Sequence, residues 1–211
     1  MVKSDRQNAI VERLDELESL WNEFAENPDA RLLRWLTDAD GAKMVDLMVD
    51  LQSEEAGELP DLFVKFIQPF DDHTQYGFGL RQSLIDQYND IRESIAEDDI
   101  ANEWECPAPV RGEPDLITFA RACMSFREYY DGMMLHFVAF LYPPQISDAE
   151  NWQRWLLSLA RSGLPANVRI MVIDDVGAPL LTQMCDIEKK LIQTIEPELD
   201  MPGAYEELSR G

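Results

Sequence analysis

Basic residues, cysteine, histidine and long apolar runs are all scarce in this chain, and each shortage removes a class of function. Against 41 Asp and Glu there are 18 Lys and Arg, a formal net charge of -23. Such a surface repels phosphate backbones and anionic headgroups, so direct nucleic-acid and membrane-surface binding are disfavoured and a basic protein partner is the expected counterpart. Three cysteines, Cys106, Cys123 and Cys185, lie far apart with no C-x-x-C pair, which excludes a zinc-ribbon pattern and a disulfide framework and fits a reducing cytoplasm. No apolar run is long enough to span a bilayer, and the start, Met1-Val-Lys-Ser-Asp-Arg6, leads into a charged helical pattern rather than a signal sequence. The expectation is a cytoplasmic, non-membrane, bacterial-type acidic protein. A hydrophobic content of 45% argues against disorder despite the charge.

The apolar segments that are present alternate between two periods. Ile10, Leu14, Leu17, Trp21 and Phe24 recur at helical spacing, with Ser4 and Gln7 offering a capping box, until Asn27-Pro28-Asp29 stops the helix. Strands are expected at Ala30–Leu36, Leu62–Ile67, Met134–Tyr142, Val168–Ile173 and Ile192–Ile195. Between them lie helical stripes: Met44, Leu47, Met48 and Leu51; Tyr76, Leu80, Leu84, Tyr88, Ile91 and Ile95; Phe119, Cys123, Phe126 and Tyr130; Trp152, Trp155, Leu156 and Leu159, capped by Ser147 with Glu150 and ended by Gly163; and Leu180, Met184, Ile187 and Leu191 behind Pro179. Met134–Asp175 reads as a buried βαβ unit. The whole pattern predicts a three-layer α/β domain, a mostly parallel sheet of about four or five strands with helices on both faces, preceded by a helix. The expected divisions are an N-terminal helix over 1–28, the α/β domain over 29–196 with a Pro-rich loop at 104–114, and an acidic tail over 197–211 that leaves the sheet.

Ligands of open α/β sheets sit beyond the carboxyl ends of the strands, which directs attention to Thr37–Lys43, Tyr142 and Asp174. Leu36-Thr-Asp-Ala-Asp-Gly-Ala-Lys43 has the position of a phosphate-binding loop, with a glycine and a lysine at a strand-to-helix turn. A working Walker A loop needs two glycines and then Lys-Ser/Thr directly after the second; here Ala42 separates Gly41 from Lys43 and Met44 replaces the hydroxyl. With this loop and the β/α alternation over about residues 30–195, the chain resembles P-loop NTPases of the AAA+ and STAND kind. The resemblance implies a nucleotide-binding-like scaffold without the residues to hydrolyse a nucleotide, hence no cofactor.

The same stretch contains Asp38-Ala-Asp40-Gly41, which resembles the D-x-D-G of haloacid-dehalogenase-type phosphatases. That resemblance would make Asp38 the nucleophile, Asp40 the general acid/base and Asp174 or Asp175 a Mg²⁺ ligand. It lacks the family's intermediate Ser/Thr, since Gln68-Pro69 and Tyr142-Pro143 stand at those places. Helix capping by Asp38 is the competing reading. Asp71, Asp72 and His73 precede a helix and suit capping or a metal site, whereas His136, inside an apolar run, reads as a satisfied core histidine. Of the five tryptophans, Trp104 stands apart, in the acidic Pro-rich loop between Glu103 and Glu105, where an interface role competes with packing on its own domain. The expected function is therefore a non-catalytic interaction or adaptor module, with a Mg²⁺-dependent phosphatase and a DNA-mimic inhibitor as alternatives.

Overall fold

The structure, a computed structural model, describes residues 3–53, 57–98 and 100–210, with side chains from 9 to 207 within those ranges. The side chains of the expected Ser4/Gln7 capping box, and the Glu54–Ala56 part of the acidic loop, lie outside what is described. In chain order the elements are α1 (Lys3–Ala25), β1 (Leu32–Thr37), α2 (Ala39–Gln52), β2 (Leu62–Phe66), α3 (Tyr76–Glu97), α4 (Asp115–Tyr129), β3 (Phe137–Leu141), α5 (Ala149–Ala160), β4 (Val168–Asp175), α6 (Thr182–Ile187), β5 (Ile192–Ile195) and α7 (Met201–Arg210). No helix of the described residues is long and apolar enough to cross a membrane.

The five strands form one parallel sheet in the order β2-β3-β4-β1-β5. Their near-continuous apolar sequences follow from burial on both faces. Leu33, Trp35, Phe63, Val138, Phe140 and Met171 face α1, α2 and α7, and the alternate positions Leu32, Val64, Phe66, Ala139, Ile170 and Val172 face α3 to α6. The helix assignment follows from handedness. The connection from β1 runs toward β2 and the later ones run back the other way, so one common hand requires α2 on the face opposite α3 to α6. The carboxyl ends of β1 and β4, whose connections diverge, flank the topological switch point.

Two buried arginines interrupt the apolar strands, and both have partners. Arg169 on β4 donates to the carbonyls of Ala25, Asn27 and Ala30, satisfying acceptors that the end of α1 leaves open, and its guanidinium lies over the Phe24 ring. Arg34 on β1 pairs with Asp174 on β4 at 2.6 Å. Asp61, before β2, accepts from Trp21 Nε1 at 2.7 Å and from the His136 backbone amide at 3.0 Å, with His136 Nδ1 at 2.8 Å. His136 is thus a satisfied histidine at the core margin.

Several local expectations change. Asp148, not Ser147, caps α5 by accepting from the Asn151 amide; Ser147 instead donates to Asp71, and Glu150 pairs with Arg154. Gly163 does take the left-handed conformation beyond the helix, at φ +85°. The helix expected from Pro179 to Leu191 shortens to α6, because the Asp174 carboxylate takes the Leu180 and Leu181 amides and holds that stretch in a turn. β3 starts at Phe137, after a turn at Asp131–Met134. The stripe on α3 is buried only through Tyr88; Ile91 is exposed and Ile95 half-buried. The tail does not leave the sheet: Leu199, Met201 and Ala204 are buried, and the Leu199 carbonyl accepts from Arg13 on α1.

Trp104 is 6% exposed and packs edge-on against Tyr88 and Phe126. Its amide donates to the Tyr88 hydroxyl and its indole to Ser125. The Pro-rich loop therefore packs on its own domain, because the indole gains more from an apolar core with a hydrogen bond for its N–H than from solvent. Glu103 and Glu105 beside it are exposed, but the indole is not presented to a partner.

Candidate functional site

The switch-point rim is a cleft of about 400 Å³, lined by Thr37, Asp38 and Gly41 from the β1–α2 turn, by Val176, and by Glu196–Pro202 from the tail. The turn is tight because Asp38, with extended backbone, caps α2: its Oδ1 accepts from the Asp40 amide at 3.1 Å and the Gly41 amide at 2.9 Å. Gly41 is a glycine for packing. A Cβ there would lie 1.9 Å from Thr37 Oγ1, so any side chain would push Thr37 out of its buried place at the end of β1.

In a phosphate-binding loop these amides would face the ligand and the helix dipole would favour its charge. Here the carboxylate of Asp38 occupies that role. Lys43 does not reach into the cleft; it is exposed and pairs with Asp40 at 2.8 Å. The Lys43 ammonium, helped by the Tyr205 hydroxyl from α7, holds the Asp40 carboxyl below the usual aspartate range, and Asp40 in turn raises Lys43. Among the described residues no Lys or Arg lines the cleft, while Asp38, Glu196, Glu198 and Asp200 do.

The carboxylates proposed for phosphatase chemistry are not brought together. Asp174 is buried and spent: it pairs with Arg34, which also donates to Thr182, and it accepts the Leu180 and Leu181 amides. Asp175 Oδ1 accepts from the Gly177 amide in the turn after β4. Among the described residues no group of three or more His, Cys, Asp or Glu side chains is placed to hold a metal ion. The arrangement that haloacid-dehalogenase chemistry needs, with Asp38, Asp40 and Asp174 in one coordination sphere, is therefore not formed.

The acids near α3 are structural as well. Asp72 Oδ1 accepts from the Thr74 amide and hydroxyl, which lowers its pKa, and its backbone carbonyl receives Tyr76, so it organises the turn rather than capping the helix by its side chain. The residues that sequence reasoning passed over are Arg34, Arg169 and Asp61. The signal for the arginines was present: a cation inside a run expected to be buried requires a buried partner. No protein-family model matches the chain, and no curated protein matches it.

Proposed function

We propose that the chain is a non-catalytic interaction module, an adaptor built on a nucleotide-binding-like scaffold and working in the cytoplasm with a partner of basic surface. The observation that carries this reading is the Asp38 carboxylate on the Asp40 and Gly41 amides, at the point where a phosphate would bind. Anion affinity at a helix N-terminus depends on free amides and positive potential. Here the amides are engaged and the cleft is acidic, so a nucleoside triphosphate would meet like charge without a compensating lysine. The resemblance to AAA+ and STAND-type domains is supported by the position of the Leu36–Lys43 loop at the switch point of a parallel sheet. The cytoplasmic part is supported by three free thiols, Cys106, Cys123 and Cys185, and the basic partner by the net charge of -23.

The test is phosphate release from ATP, GTP and a general phosphomonoester in the presence of Mg²⁺. The expected result is release no faster than without protein. Release that Asp38→Asn abolishes would overturn the reading and restore the phosphatase.

A further inference from the structure

We infer that an apolar groove at the amino end of β2 is the docking site for a basic amphipathic helix of the partner, an inference that rests on the interaction-module reading. The groove measures about 330 Å³ and runs between the second half of α3 and the turn before β3, with Leu59, Leu62, Ile91, Ile95, Met133 and Met134 along it. Ile91 and Met133 are 50% and 54% exposed, and Leu135, next to the lining residues, is 59% exposed. Single exposed apolar side chains are ordinary, but a contiguous strip in a groove marks a binding surface, and methionines suit a surface that must mould to a helix.

Two observations choose the occupant. The first is that the adjoining free edge of β2 is closed to strand addition. Ser53 donates to the Phe63 carbonyl and Gln87 to the Lys65 carbonyl, both at 3.1 Å, and Lys65 is tied to Asp46 and Asp50 beside them. With its outward acceptors engaged, this edge does not offer a ladder, which leaves a helix laid in the groove as the mode of recognition. The second is charge. Among the described residues that flank the groove in sequence, Glu58, Asp90, Glu93, Asp98 and Asp131 are exposed carboxylates, against Arg92 as an exposed cation. A second copy of a chain of charge -23 would bring like charges together, whereas a helix with Lys or Arg beside its apolar stripe would find complementary ones.

The experiment uses the full chain and a fluorescein-labelled peptide of about 18 Leu and Lys residues with leucines at i, i+3, i+4 and i+7. Its binding is followed by fluorescence anisotropy. Wild type is expected to bind it, and to bind about ten-fold more weakly an isomer of the same composition with leucines spread around the helix. Ile91→Ser with Met133→Ser should raise Kd by about ten-fold or more. Both positions are half exposed, so folding is preserved, and Ile187→Ser, exposed elsewhere on α6, should leave Kd unchanged. No binding, equal affinity for the two peptides, or equal affinity of wild type and the double variant would overturn the groove. So would sedimentation showing a wild-type dimer that the double variant dissolves, since a second copy would then be the occupant. Phosphate release is measured on the same samples: release overturns the interaction-module reading, whereas a peptide indifferent to Ile91 and Met133 without release overturns the groove alone.

Discussion

Asp174→Ala is expected to destabilise the fold by about 3–5 kcal/mol, the cost of leaving one member of a buried ion pair uncompensated. For a domain of this size that lowers Tm by on the order of 10 °C in thermal circular dichroism. The magnitude follows from what the carboxylate holds. It pairs with Arg34 across the β1–β4 junction and accepts the Leu180 and Leu181 amides that lead into α6. Without it the buried Arg34 guanidinium keeps the neutral Thr182 hydroxyl and Cys185 thiol beside it but loses its compensating charge. Replacing both partners with apolar residues, Arg34→Met with Asp174→Leu, should recover part of the loss, because it removes the buried charge but not the need of two backbone amides for an acceptor. Were Asp174 a metal ligand instead, its removal would relieve acidic repulsion and raise Tm; that result would contradict the structural role assigned here.

Arg169→Met should cost about 2–4 kcal/mol, with the damage concentrated at the C-terminal end of α1. Two effects oppose each other at this residue. Burial pulls the guanidinium down to about 10, so the fold bears a penalty for keeping it charged. Its removal, however, takes the side-chain donor from the carbonyls of Ala25 and Asn27 and leaves Ala30 only Arg31, and the lost hydrogen bonds outweigh one relieved desolvation. Amide exchange over Leu17–Ala25 should quicken by about two orders of magnitude while β3 stays protected. Exchange as slow as in wild type would show that packing of Trp21 and Phe24 alone holds the helix.

The sheet was legible in the sequence because its strands are short apolar runs closed by Pro, Asp or polar turns, and Ile192–Ile195 coincides with β5. The stripes of α4 and α5 were legible because Phe119, Cys123, Phe126, Trp152, Trp155, Leu156 and Leu159 are all buried. Strand order was not, since periodicity records which face a residue presents and not which strand lies beside it. The length of α6 was hidden for a related reason. Leu180, Met184, Ile187 and Leu191 keep helical spacing, but Asp174, brought there by the sheet, captures the first amides. Trp104 in an acidic, Pro-rich loop looks exposed until Tyr88, Ser125 and Phe126, distant in sequence, close around it.

At the rim, residue types alone left Asp38 as nucleophile or cap; its bonds to the Asp40 and Gly41 amides make it a cap. The fate of Asp174 depended on Arg34, which lies 140 residues away in the chain. Ile91 and Ile95 continue the α3 stripe without a change in pattern, and only the end of the sheet beneath Tyr88 leaves them in a groove.

The most direct test of a rim closed by the chain's own carboxylate is the amide spectrum of ¹⁵N-labelled protein titrated with Mg²⁺·ATP. The Asp40 and Gly41 resonances are predicted to stay in place up to millimolar nucleotide. Saturable shifts of those two amides with a half-point in the micromolar range would contradict the account, because a phosphate would then have displaced Asp38 from the start of α2.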